Sequence, residues 1–174
     1  MKVKNMIVCA LFAAIMCITA PFSIPLGPVP ITLILFSIGL TAFVTGSRKA
    51  MVATIIYMLV GLVGLPVFSG FKGGLGAIMS PVGGFVFSYI FIALILGQCV
   101  KCRRKSSVFL LCGAALLVCY MFGVSWYMFI TEVDMLTALS LCVIPFIPFD
   151  IIKLCIAYFV GKVVRLRLVG AKLL

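Results

Sequence analysis

The chain has 174 residues, 66% of them apolar, with a mean hydropathy of +1.42. Only 10% are charged, against about 25% in soluble domains, so a water-soluble surface is excluded. At roughly 17–25 apolar residues per bilayer crossing, residues 1–174 suffice for about six spans with short loops, read as a single transmembrane unit with no soluble domain.

The first apolar run covers residues 5–20. With Lys2 and Lys4 before it, the run has the outline of a secretory signal. However, Pro21 directly follows Ala20, the only small-residue cleavage candidate, and five more apolar runs come after it, so the segment is read as a retained first helix. A proline-rich turn occupies 21–30, and a second helix runs to about Thr45. Gly46, Ser47, Arg48 and Lys49 form a tight basic turn before a third helix over 50–65. The stretch 66–84 is too broken by glycine and proline for a simple span. A fourth helix covers 85–100, the basic turn 101–105 follows, and a fifth covers 108–129. Glu132 and Asp134 mark an acidic turn. A short apolar helix is expected over 135–143, then a sixth span that opens at Pro145-Phe146-Ile147-Pro148 and ends near Val164. The expected fold class is an all-α membrane protein, a bundle of six transmembrane helices.

The net charge of +11 invites comparison with nucleic-acid binders, but the basic residues stand in short clusters between apolar runs rather than in a stripe interleaved with aromatics. Twelve of the 14 fall on one side of the expected topology: Lys2, Lys4, Arg48, Lys49, Lys101, Arg103, Arg104, Lys105, Lys162, Arg165, Arg167 and Lys172. The other side carries Lys72, Glu132 and Asp134. This asymmetry places both termini and the basic turns in the cytoplasm, and the proline-rich turn, the glycine-rich loop and the acidic turn outside. The expected partner of these flanking charges is membrane lipid, not nucleic acid.

Asp150 and Lys153 are the charged residues inside an expected span. A charge deep in a membrane helix costs about 2.5–3.5 kcal/mol on insertion scales and generally faces a bundle interior or a cavity. Three residues apart, the two share a helix face. Pro148 suits the first turn of a helix, which sets Asp150 near the N-terminus, where the macrodipole favours a carboxylate. It lies about 22 Å along the helix from Arg165, recessed slightly from the outer surface. The pair is either a structural ion pair or a ligand site open to the outside. The outer loop adds Lys72 within Ser69-Gly70-Phe71-Lys72-Gly73-Gly74-Leu75-Gly76, where glycines allow close backbone approach to a ligand, though an ordinary flexible turn has the same composition. Phe68, Phe71, Phe85, Tyr89, Trp126, Phe146 and Phe149 fall at the same outer level, as packing or interfacial belt, or in part as pocket lining.

The eight cysteines lie mostly within apolar runs, where a free thiol acts as a small hydrophobe. Cys99 and Cys102 form a C-x-x-C without the second pair or histidines of a structural zinc site. The chain has no histidine to serve as a general base and no G-x-x-x-x-G-K-[ST] phosphate loop. Binding is therefore favoured over catalysis, no cofactor or metal is expected, and active transport requires energy from another subunit. Ala10 and Ala14, one helical turn apart, form a small-x-x-x-small pattern that permits close helix approach.

Four motifs, Pro28-Val29-Pro30-Ile31-Thr32-Leu33, Gly64-Leu65-Pro66-Val67-Phe68-Ser69-Gly70, Gly73-Gly74-Leu75-Gly76 and Pro81-Val82-Gly83-Gly84, together with the closing Pro145-Phe146-Ile147-Pro148-Phe149-Asp150-Ile151-Ile152-Lys153, resemble the BioY family of biotin-binding S components of energy-coupling factor (ECF) transporters. The resemblance spans nearly the whole chain in the right order. It implies a six-helix S-component fold in a bacterial plasma membrane and a biotin site on the outer side. It also implies assembly with an ECF transmembrane coupling protein and two ATPase subunits. It assigns biotin contacts to Asp150, Lys153 and Lys72 and makes Ala10 and Ala14 the candidate docking surface, while Phe68, Phe85 and Tyr89, from the outer-level aromatics, are the candidate pocket residues. Ile34 stands where the family commonly has Gln, Phe85 where Tyr is usual and Phe71 where a polar residue is often found, which implies a less polar pocket. The competing readings are another vitamin or biotin-related ligand on the same scaffold, a small intramembrane enzyme using Asp150 and Lys153, and a purely structural subunit.

Overall fold

The structure, a computed structural model, describes residues 3–102 and 104–171. Lys2, Arg103 and Lys172 of the basic clusters lie outside the described residues. In chain order the elements are α1 (Val3–Thr19), β1 (Ser23–Leu26), β2 (Val29–Thr32), α2 (Ile34–Thr45), α3 (Ser47–Leu62), α4 (Leu75–Ile78), α5 (Gly83–Gly97), α6 (Lys105–Thr131), α7 (Met135–Cys142) and α8 (Ile147–Gly170), with a 3-10 turn at Gln98–Lys101 continuing α5. Each long apolar run of the sequence is a helix. Among the described residues two helical stretches, Gly83–Lys101 and Lys105–Thr131, are long and apolar enough to cross a membrane, and α7 with α8, bent by 43° at their junction, pass the same test only when taken together. At 17 and 12 residues, α1 and α2 are shorter apolar helices.

Two expectations are corrected. The proline-rich segment is a β-hairpin, so the fold is not purely helical and α2 begins at Ile34. The register pairs Leu26 with Val29 across Gly27-Pro28, and Pro25 with Pro30. Gly27 has φ +73°, the conformation that a first central turn residue needs in a tight hairpin. Bonded and non-bonded pairs alternate outward from the turn, so the two prolines face each other where the ladder requires no N–H. The last helix continues past Val164 to Gly170, because no breaker intervenes before that glycine. The Arg165 guanidinium donates to the carbonyl of Val44, a cation placed where the C-terminal dipole of α2 is negative.

The central helix is α2, with nine of its 12 residues buried, as befits a helix apolar on every side. Its hydroxyls find partners within the fold: Thr41 donates to the carbonyl of Ser37 at 2.7 Å, and Ser37 shares a hydrogen bond of 2.6 Å with Thr19 of α1. Without a partner, each buried hydroxyl would be costly. The packing of α8 on α2 is extensive. Their seam is built from small residues, Gly39 against Leu154 and Ala157, and Gly161 against Phe43, which lets the backbones approach. The other main pairing is α5 on α6, and α3 fits between α5 and α1.

The described basic turns share one end of the bundle. There Ser47 donates to the carbonyl of Leu94 at 2.9 Å, and Gly97 lies against Ser47. At the other end the Gly70 N–H donates to the carbonyl of Pro21 at 3.0 Å, and Val29 and Ile31 of the hairpin pack with Tyr127, Ala138 and Phe146.

Candidate ligand site

The first turn of α8 carries the chemistry. Pro148 sits at its start and Asp150 within its first turn, as the sequence pattern predicts. Asp150 is 6% exposed. One carboxylate oxygen, Oδ1, accepts from Lys153 Nζ at 3.0 Å, and the other, Oδ2, accepts from the Tyr120 hydroxyl on α6 at 2.9 Å. A carboxylate has about four acceptor positions and an ammonium three donors. The pair is thus fixed in place while keeping capacity for further hydrogen bonds.

These groups open onto a cavity of about 180 Å³ between the hairpin, α5, α6 and α8. Its wall is mostly apolar. Phe68 is buried and packs edge-on to Tyr57 with centroids 5.7 Å apart. Phe68 and Phe85 each rest on a glycine, Gly61 and Gly123, where a Cβ would run into the ring. Two helices therefore give up side chains so that two aromatic rings can lie against the cavity. Tyr89 of α5 and Phe146, just before α8, complete the aromatic lining.

Lys72 reaches the rim from a tight turn in which the Phe68 N–H donates to its carbonyl at 2.9 Å. Gly70 has φ +71° and Phe71 φ +59°. Left-handed backbone is rare for a bulky residue, and here the Phe71 ring leans on Phe22 with centroids 5.7 Å apart. The turn also holds Ser69, whose Oγ is buried with no hydrogen-bond partner and whose side chain lines the cavity. An unpaired buried hydroxyl costs free energy, and a polar group entering the cavity would satisfy it.

The six residues singled out as substrate contacts, Asp150, Lys153, Lys72, Phe68, Phe85 and Tyr89, all line this one cavity. Phe71, Trp126 and Phe149 do not line it. Trp126 instead donates from Nε1 to the carbonyl of Ser80 at 3.0 Å and steadies the end of the glycine-rich loop. Sequence reasoning missed Tyr120, Ser69 and Tyr57. Tyr120 carried a usable signal: a buried phenol needs a partner, and Asp150 is the acid available within the spans. Ala10 and Ala14 are exposed on α1, on the side away from its buried Cys9, Ala13 and Met16. No group of three or more metal-ligating side chains occurs among the described residues.

The model of the BioY family matches residues 1–169. The chain belongs to the BioY family. It is 36% identical to the biotin transporter BioY of Thermotoga maritima over 159 residues, which is 91% of this chain and 94% of that protein. It is 31% identical to the biotin transporter BioY2 of Lactococcus lactis over 162 residues, 92% of this chain and 89% of that protein. Its fold matches a crystal structure of the S-component for biotin from an ECF-type ABC transporter with a TM-score of 0.80 and 27% identity, over 94% of this chain and 90% of that one. The family is one of transporter subunits, not enzymes.

Proposed function

We propose that this chain is the biotin-binding S component of an ECF transporter, with the Asp150 cavity as its vitamin site. The observation that carries the proposal is the Asp150–Lys153 pair, tied to Tyr120, at the wall of an otherwise aromatic cavity. Apolar residues of similar volume are often as stabilising as a buried ion pair, or more so. Stability therefore does not account for the pair, whereas recognition does. Biotin offers two ureido N–H donors and a carbonyl, an apolar thioether ring and a carboxylate tail. Asp150 accepts from the ureido N–H groups. Lys153 and Lys72 meet the carbonyl and the carboxylate, and Phe68, Phe85 and Tyr89 hold the rings. Such a site is mostly apolar, with a few placed polar groups.

The chain sits in a bacterial plasma membrane as six spans: α1, α2 led in by β2, α3, α5, α6 and α8. The cavity end faces outward, and both termini are cytoplasmic because the basic turns cluster at the other end. Uptake against a gradient is driven by an ECF coupling protein and two ATPases, docked at Ala10 and Ala14.

Equilibrium binding to detergent-purified protein tests the central claim, with biotin expected to bind and riboflavin and thiamine not. Tight binding of either control in place of biotin would overturn the assignment. Replacing Ala10 and Ala14 together with Trp is expected to abolish uptake in cells holding the coupling proteins while leaving binding intact. Normal uptake by that variant would remove the docking surface.

A further inference from the structure

At the end of the bundle opposite Asp150 lies a second cavity, of about 240 Å³. It opens between the C-terminal half of α8, the start of α6 and the 3-10 turn after α5, and Phe43 of α2 and Val108 of α6 supply apolar wall. Four cationic side chains line it: Arg104, Lys105, Lys162 and Arg165. No acidic side chain does. The chain has three acidic residues. Asp150 is committed to Lys153, and Glu132 and Asp134 follow α6 at its far end. Arg165 has the backbone carbonyl of Val44 as a partner, which neutralises nothing. The cluster is thus an uncompensated concentration of positive charge in a concave site.

The backbone adds to it. Arg104 is the N-cap of the 27-residue α6 and makes no side-chain cap to it, and both Arg104 and the first helical residue, Lys105, line the cavity. Free N–H groups and the positive end of the dipole favour an anion. Next in sequence to the lining residues Val108, Tyr158, Lys162 and Arg165 stand apolar, exposed neighbours: Phe109 on α6, and Phe159, Val163 and Leu166 on α8. Free phosphate would find no use for that apolar rim, and an acidic protein segment would leave it open. A molecule with an anionic head and hydrocarbon tails satisfies both. We propose that this cavity is a binding site for the phosphate headgroup of an anionic phospholipid. Arg104, Lys105 and Lys162 are the charge contacts, and the acyl chains lie along the exposed faces of α6 and α8. The orientation proposed above sets which leaflet supplies the lipid, but the site itself does not depend on it.

The test is lipid retention by the full chain after purification, read by native mass spectrometry, with phosphatidylglycerol against phosphatidylcholine at equal concentration. Wild-type protein is expected to retain phosphatidylglycerol selectively. The triple variant R104Q/K105Q/K162Q is expected to retain about a hundredfold less, from roughly fivefold per cation removed near an anionic lipid. The control R48Q/K49Q removes two basic residues that do not line the cavity and is expected to retain as much as wild type. Equal losses in both variants would show a diffuse basic belt and overturn the site. Displacement of the lipid by millimolar inorganic phosphate alone would assign the cavity to a free anion and overturn the lipid. Failure of wild type to select phosphatidylglycerol, with the triple variant impaired in assembly with the coupling protein, would assign the cations to a protein contact instead. Unchanged biotin affinity at the opposite end reports that the triple variant is folded. If that affinity is lost in the triple variant, the single variant K162Q takes its place, with about fivefold lower retention expected and wild-type retention overturning the site.

Discussion

The two cavities are similar in size, about 180 and 240 Å³, yet their charge is handled in opposite ways. The cavity at Asp150 supplies its own counterion through Lys153 and adds a phenol from Tyr120. The cavity at Lys162 gathers four cations and no acid. The first has its one acid balanced by Lys153 and a single further cation, Lys72, at its rim, which suits a ligand carrying donors, acceptors and one negative charge. The second holds a field that only an anion relieves. The backbone follows the same division. A hairpin, a glycine-rich turn and the start of a proline-led helix build the first, so that single residues can be aimed. Helix ends build the second, where charge matters more than aim.

Asp150→Ala should have the largest effect on this contrast. It leaves Lys153 half-buried and unpaired, at a cost in stability, and it removes the acceptor proposed for the ureido N–H groups, so biotin affinity measured by titration calorimetry should fall by orders of magnitude. Replacing the pair together with leucine and methionine should also abolish binding, but with thermal stability retained. Wild-type affinity in Asp150→Ala would erase the distinction between the two cavities. Next in size, Tyr120→Phe removes a hydrogen bond to a charged group, worth about 1.5–3 kcal/mol, and should weaken binding clearly without altering lipid retention. Gly61→Ala pushes a methyl group into the Phe68 ring. Overpacking of that kind costs about 1–3 kcal/mol, and affinity should fall while the basic cavity is untouched. Unchanged binding in this variant would mean that the Phe68 ring is not part of the contact surface.

Asp134 should give the smallest effect, at neither cavity. It caps α7 by accepting from the Thr137 hydroxyl at 2.6 Å and the Thr137 N–H at 3.2 Å, and those bonds hold its carboxyl below the usual aspartate value. A lowered folded value adds stability above the ordinary aspartate range and loses it as the pH falls through that value. Asp134→Ala should therefore lower the thermal midpoint slightly at neutral pH and not at all in strong acid. Ligand affinity at either cavity should not change.

The long helices were legible because uninterrupted apolar runs leave few alternatives in a bilayer. The ion pair was legible because charge inside a span is expensive. What escaped was decided by tertiary pairing. Pro25 and Pro30 look like breakers one at a time, and only their facing register makes them strand residues. Arg165 and Arg167 look like the charges of a loop, yet they stay helical, Arg165 having the end of α2 to cap. Tyr120 lies 30 positions from Asp150, and no local pattern joins them. Ser69 reads as part of a flexible loop, because a missing partner is visible only once its neighbours are placed.

Of the helices that reach both cavities, α2, α6 and α8, the last places charged side chains in each. Its first turn holds Asp150, and Lys162 and Arg165 follow further along its 24 residues, so α8 is a rod about 36 Å long seated on the small-residue seam of α2. Gly39 of α2 receives Leu154 of α8, and Gly161 of α8 receives Phe43 of α2, so each helix holds the other in register. A rod held in this way keeps its two ends at a fixed spacing, so a substitution at one cavity leaves the other in place.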